Sequence, residues 1–166
     1  DLMATLPDGR PDTSNMASAA NAAGIQIASD DTWSDIFSRV LVERIEKNLG
    51  HGRATILMEY PAPEAALARP AKDPRVAERF ELYACGVELA NGFGELTDAR
   101  EQRRRFEESM AEKAKRYGER YPIDADFLAA LEKMPPASGI ALGLDRLVML
   151  ATGAPKIENV LWAPVA

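Results

Sequence analysis

One cysteine and one histidine are all that the 166 residues provide of the side chains most used for soft-metal binding and for nucleophile or base chemistry. Cys85 alone excludes an internal disulfide and a multi-thiolate metal site, and its solitude suits a cytoplasmic protein. His51 stands between Gly50 and Gly52, where an exposed loop is expected, so a histidine-based triad is not. No apolar run is long enough to span a bilayer, and no signal-peptide pattern is present, so no membrane role is expected. A basic excess is also missing. Lys and Arg number 20 against 26 Asp and Glu, for a net charge of −6, which argues against strong nucleic-acid binding by the chain itself. An initiator methionine is missing too, and with Asp1 first the sequence is expected to be part of a longer protein.

What is there suits one globular domain: 46% hydrophobic and 28% charged residues, in a chain long enough to build a core. Residues 1–53 read as a helical segment. Thr13 or Ser14 is expected to cap a short alanine-rich helix ending at Gly24. Trp33, Ile36, Phe37, Val40, Leu41, Ile45 and Leu49 then recur at helical spacing, with Asp30 or Asp31 as the cap and Gly50 as the stop. Residues 54–166 carry the strands. ATILMEYP reads as a strand ended by Pro61, and a proline-studded connector runs to Pro74. VAERFELYACGVELANGF reads as two strands around a tight turn near Cys85-Gly86, with a break expected at Asn91-Gly92. A charged helix follows from Asp98 to Tyr117, with Phe106 and Met110 as its apolar edge and Arg103, Arg104 and Arg105 as a solvated face. A short helix over Asp124–Lys133 should turn Phe127, Leu128 and Leu131 inward, and SGIALGLDRLVMLATG reads as a strand passing into a helix that stops at Gly153.

The acids of the hairpin stand out. In an antiparallel pair with an even loop, partner numbers sum to an odd value. A Cys85-Gly86 loop sets Tyr83 opposite Glu88 with Glu81 diagonal to it, and an Ala84-Cys85 loop sets Glu81 opposite Glu88. Either way the two carboxylates share a sheet face, where they repel unless a cation lies between them, and a hard divalent ion such as Mg²⁺ takes such ligands. The plain alternative is a wet face of an open antiparallel sheet. Glu95, seven residues after Glu88, sits in an otherwise apolar, glycine-rich run.

Two blocks decide between these readings. RVAERFELYACGVELANGFGELTDAREQRRRFE (Arg75–Glu107) and SGIALGLDRLVMLATGAPKIENVLW (Ser138–Trp162), the latter holding a Gly143-Leu144-Asp145-Arg146 motif 3 pattern, resemble the catalytic domain of class II lysyl-tRNA synthetases. They resemble still more the truncated relatives of those enzymes, the elongation factor P–lysine ligases. The likeness runs from about Ile56 to the C-terminus.

The resemblance implies an α+β fold, an antiparallel sheet flanked by helices, of which this chain would be the C-terminal part. It implies ATP and Mg²⁺ as cofactors and a homodimer in the full-length protein. Glu81 and Glu88 match metal-holding positions, and the backbone at Glu88-Leu89 matches a nucleotide contact. Asn91 and Glu95 match the amino-acid pocket, with Glu95 pairing a substrate amine. Arg146 matches the arginine that lies on adenine and reaches the γ-phosphate, and Gly143 matches a position where the backbone approaches the nucleotide. Motifs 1 and 2 are not found before Ile56, so an isolated product of this sequence is expected to be inactive. For the acceptor, AREQRRRFE and Ala141, where the synthetases generally have glycine, favour ligation of lysine or (R)-β-lysine to elongation factor P. The alternatives are charging of lysine transfer RNA and a catalytically inactive paralogue used as a binding module.

Overall fold

The computed structural model describes residues 4–6 and 10–163. Helix α1 (Thr13–Ala22) begins at Asp12, whose Oδ1 accepts the Asn15 amide at 3.0 Å. Thr13 and Ser14, expected as caps, are its first helical residues. Helix α2 (Trp33–Val40) is capped by Thr32, not by Asp30 or Asp31. Thr32 and Asp35 bond reciprocally across the first turn, the capping-box spacing that neither aspartate could provide. Asp31 instead pairs with Arg39 at 3.2 Å. Met16, Ala20, Ile25, Trp33 and Ile36 bury one another in the core of this segment.

The helix does not run unbroken to Leu49. It loosens to a π turn over Leu41–Ile45 and tightens to a 3₁₀ turn over Glu46–Asn48. Leaving the helix there lets the Leu49 and Gly50 carbonyls accept the Gly86 and Cys85 amides at 3.0 and 2.8 Å. The first segment is thereby tied to a hairpin turn of the second.

Four antiparallel strands lie in chain order: β1 (Thr55–Pro61), β2 (Val76–Ala84), β3 (Val87–Gly94) and β4 (Ser138–Leu142). Cys85 and Gly86 form the β2–β3 turn with φ of 52° and 74°, the double left-handed geometry of a two-residue hairpin, and Tyr83 faces Glu88. The break expected at Asn91-Gly92 does not occur. Both residues pair with β2 and β4, and the Phe80 ring lies 2.5 Å from where a Cβ on Gly92 would stand. Glycine here makes room for a ring rather than a turn.

Two bulges reset which side chains share a face. At Glu59, in left-handed geometry at φ 60°, the register moves from Met58↔Phe80 to Tyr60↔Ala77. At Leu89 it moves from Tyr83↔Glu88 to Leu82↔Ala90. In a regular strand Tyr60 would follow Met58, and Asn91 would lie opposite in facing to Glu88. With the bulges, Tyr60, Glu81, Tyr83, Glu88 and Asn91 gather on one face. The other face carries two apolar rows, Ile56–Leu82–Ala90–Leu142 and Met58–Phe80–Gly92–Ile140.

Helix α3 (Ala99–Tyr117) starts at Asp98 and stops at Gly118. Of its arginine run, Arg103 and Arg104 are solvated but Arg105 is not. Arg105 reaches back to the Ala65 and Ala68 carbonyls at 2.8 and 3.0 Å, fastening α3 to the connector. Helix α4 (Ala125–Leu131) ends before Lys133. It buries Leu128 and Leu131 as expected, whereas Phe127 stays exposed beside Phe106, with ring centroids 6.0 Å apart. Helix α5 (Leu144–Thr152) follows β4 through Gly143 and stops at Gly153. Among the described residues no helix is long and apolar enough to cross a membrane.

Candidate active site

Glu81 is the hub of the polar face. Only 4% exposed, it receives two donors on each carboxylate oxygen. Oε2 accepts the Tyr60 and Tyr83 hydroxyls, the second at 2.7 Å. Oε1 accepts the Arg79 guanidinium and the Asn91 amide, the latter at 3.1 Å. Four donors fill the usual acceptor capacity of a carboxylate and offset the cost of burying its charge. Arg79 also lies over the Tyr60 ring, 4.3 Å from its centroid. Burial, then the bond to Glu81, raises both tyrosine pKa values above the usual phenol range, so both hydroxyls stay protonated and donate.

Glu88 is placed differently. It sits at the rim, and its Oε2 pairs with Arg146 Nη1 at 3.1 Å, with both side chains partly open to solvent. The same nitrogen donates to the Glu88 carbonyl at 2.8 Å. The Leu89 carbonyl accepts the Gly143 amide at 2.8 Å, so the bulge also seats the start of α5. A Cβ on Gly143 would meet Arg146 Cδ at 3.4 Å and the Leu89 carbonyl oxygen at 3.5 Å. These are near-ordinary contacts, and φ is −75°, so the fold itself does not demand glycine there.

Asn91 and Ala141 are cross-strand partners, extending the row Leu57–Glu81–Asn91 to β4. The Asn91 Oδ1 is buried without a hydrogen-bond partner. Glu95 follows just beyond β3, and its Oε1 would lie 2.7 Å from a Cβ on Gly139, filling the space glycine leaves. Glu81, Glu88, Asn91, Glu95, Ala141, Gly143 and Arg146 therefore share one face and its rim.

Sequence reasoning missed Tyr60, Arg79 and Glu46. Glu46 comes from the 3₁₀ turn of the first segment. Burial pushes its carboxyl above the usual range, with Glu81 and Glu88 adding to the rise and a Tyr83 hydrogen bond and Arg146 opposing it. No pattern in the strands could reveal a carboxylate arriving from another segment. A groove of about 820 Å³ lies elsewhere, bordered by Trp33, Pro63 and Arg75, and contains none of these residues. Three of its arginines, Arg75, Arg104 and Arg105, are paired with Asp73, Glu101 and Glu108.

Among the described residues no three His, Cys, Asp or Glu side chains converge as a metal cage. A magnesium ion does not require one, since it commonly takes one or two protein carboxylates and completes its shell with phosphate and water. Glu88, at the rim, fits such a role directly. Glu81 would have to release donors it now holds.

The model of the class II tRNA synthetases (D, K and N) matches residues 25–166. The chain belongs to that family. This synthetase-family chain is similar to proteins named elongation factor P–(R)-β-lysine ligase. It is 45% identical to the one from Proteus mirabilis (strain HI4320), over 82% of this chain and 43% of that protein. It is 53% identical to the one from Klebsiella pneumoniae (strain 342), over 70% and 37%. It is 46% identical to the one from Sodalis glossinidius (strain morsitans), over 84% and 42%. The chain thus spans about two fifths of the length of these curated relatives. The family's α+β architecture, an antiparallel sheet flanked by helices, is the one expected from the sequence and seen in the fold.

Proposed function

We propose that the whole protein activates a lysine, (R)-β-lysine by preference, as its adenylate with ATP, and joins it to a lysine side chain of elongation factor P. The observation that carries this reading is the Glu88–Arg146 pair at the rim of a face that also carries Asn91, Glu95 and Ala141. The names of the relatives supply the acceptor.

In the first step a carboxylate oxygen of the lysine bonds to the α-phosphorus, and pyrophosphate leaves. Arg146 gives up its contact with Glu88 to meet phosphate and the adenine ring, for both of which a planar guanidinium is suited. Glu88, and Glu81 if it sheds donors, would hold Mg²⁺, which when bound neutralises charge on the phosphates. Gly143 leaves the nucleotide close access to the backbone beside Leu89. Asn91, held in place by Glu81, and Glu95 bind the amino acid, Glu95 by pairing with an amino group. In the second step the acceptor amine attacks the acyl carbon, AMP leaves, and the amine proton passes to solvent. Little proton transfer is asked of these residues, in keeping with the single histidine of this chain. A soluble acceptor and one free cysteine suit the cytoplasm, and a homodimer belongs to the same reading.

The Ala141 methyl, beside Asn91, crowds the place of an α-amino group and favours an amine one carbon further along. One methyl in a pocket gives a discrimination of roughly 1–3 kcal/mol. The test compares the activation of (R)-β-lysine and α-lysine, with elongation factor P and lysine transfer RNA both offered as acceptors. Faster activation of the β-isomer with labelling of the factor is expected, and Ala141→Gly should narrow the preference. Charging of the transfer RNA with α-lysine and no labelling of the factor would make the protein a lysyl-tRNA synthetase. No activation of either lysine would make it an inactive paralogue.

A further inference from the structure

The two phenols of the polar face share one acceptor and have a second within reach. Tyr60 and Tyr83 both donate to Glu81 Oε2, and their hydroxyls also lie within hydrogen-bond reach of each other. Tyr60 is 3% exposed and Tyr83 1%, so water does not stand in for a lost partner at either. Each hydroxyl has one proton to donate and two lone pairs with which to accept. The Glu46 carboxylate is within hydrogen-bond reach of the Tyr83 hydroxyl as well. Tyr83 therefore serves one carboxylate at a time, and it now serves Glu81, at 2.7 Å.

Backbone packing holds Glu46 beside the end of β2. Gly50, four residues on, lies so close to that strand that a Cβ would stand 2.6 Å from Ala84 Cα and 2.7 Å from the Tyr83 carbonyl carbon. The Gly50 amide donates to Thr55 Oγ1 at 3.1 Å, and the His51 ring meets the Lys47 carbonyl at 2.9 Å. The 3₁₀ turn Glu46–Asn48 is thereby clamped next to Tyr83. Burial, then the nearby Glu81, makes the Glu46 charge costly, which a donated hydroxyl offsets.

We infer that Glu46 is a positioning residue, the second acceptor that takes the Tyr83 hydroxyl when Glu81 takes up a magnesium ion; this rests on the magnesium site proposed above. Tyr60 then donates to the Tyr83 oxygen, and neither phenol is left unpaired. Glu81 Oε2 is freed while Oε1 keeps Arg79 and Asn91. Two O–H bonds turn, and no proton changes owner.

The experiment measures ATP binding to the whole protein twice. Mn²⁺, as a probe of the magnesium site, is present in the first series, read by water-proton relaxation. The second series is metal-free and read by calorimetry. Glu46→Ala should weaken binding of Mn²⁺ with ATP by about tenfold or more, the cost of one buried hydroxyl without a partner. Its metal-free ATP affinity and urea midpoint should hold, because Glu81 keeps Tyr83 in the empty site. Glu46→Gln retains an acceptor oxygen but no charge, and should behave as the unaltered protein does. Tyr83→Phe removes the hydroxyl that must move, so Glu46→Ala added to it should change little further. Glu46→Gln as weak as Glu46→Ala would make Glu46 a needed charge or a metal ligand, and would overturn the inference. So would unaltered Mn²⁺-dependent binding in Glu46→Ala, an equal loss with and without metal, or a full loss that persists on Tyr83→Phe. Each of those results leaves the proposed reaction standing. An unaltered protein whose ATP binding gains nothing from Mn²⁺ would refute the proposed site, and the part of Glu46 with it.

Discussion

The two faces of one four-stranded sheet have opposite chemistry. On one, a buried carboxylate is held by two phenols, an amide and a guanidinium, with a second carboxylate and an arginine at the rim. On the other, eight consecutive positions of two cross-sheet rows are aliphatic, aromatic or glycine. Strict alternation along the strands would not yield this division. Two bulges move Tyr60 and Asn91 across, so that polar groups collect where Glu81 needs donors and the apolar rows stay unmixed. The site is polar because the strands are irregular at Glu59 and Leu89.

The largest effect that could break this comparison comes from the two acids of the polar face. Glu81→Ala strands four donors in a buried site and should destabilise the whole protein by roughly 3–5 kcal/mol. Glu88→Ala opens only a partly exposed ion pair and should cost less than about 1 kcal/mol. Urea denaturation of both variants separates the roles, and equal losses would mean that Glu81 is no hub.

Next come the glycines. Gly92→Ala must displace the Phe80 ring and approach the Gly139 carbonyl at 2.9 Å, so a loss of about 1–3 kcal/mol is expected. Gly143→Ala meets nothing closer than 3.4 Å and should leave the urea midpoint nearly unchanged while weakening ATP binding. A destabilised Gly143→Ala variant with normal ATP affinity would show that the fold, and not the nucleotide, requires that glycine.

A smaller effect belongs to the helical segment that supplies Glu46. Thr32→Ala removes the α2 cap and should cost about 1 kcal/mol. The same cap has a pH signature. The hydrogen bond from the Thr32 hydroxyl, then that from its backbone, lowers the Asp35 pKa from its ordinary 3.8. A lowered folded pKa means stability present above the ordinary value and lost as pH falls through the folded one. Thr32→Ala should therefore shrink the acid-limb slope of stability below about pH 4. An unchanged slope would place the acid sensitivity in other carboxylates, such as Glu101, held at about 2 by hydrogen bonds from Arg104.

Much of the fold is legible in the sequence. Apolar or alternating runs locate the four strands, Cys85-Gly86 the turn, and Asp98 and Tyr117 the ends of α3. The hairpin arithmetic sets Tyr83 opposite Glu88, as observed. What it misses follows from one assumption, that strands alternate without interruption. That assumption places Tyr60 and Asn91 on the wrong face. Asn91-Gly92 looked like a break because the sequence does not show that a Phe80 ring needs the glycine. Arg105 looked solvated because its carbonyl partners lie in the distant connector. Glu46 was invisible for the same reason, being brought by a change of helix pitch and two backbone bonds to the hairpin turn.

The central claim is that the polar face and its rim form an ATP site beside an amino-acid pocket. It is tested most directly by lysine-dependent exchange of pyrophosphate into ATP, measured on the whole protein with Arg146→Ala and Glu88→Gln at limiting Mg²⁺. Exchange should fall by at least two orders of magnitude in each variant, about 2.7 kcal/mol of lost transition-state stabilisation, with the urea midpoint held. Near-normal exchange in both variants would contradict the assignment of the site.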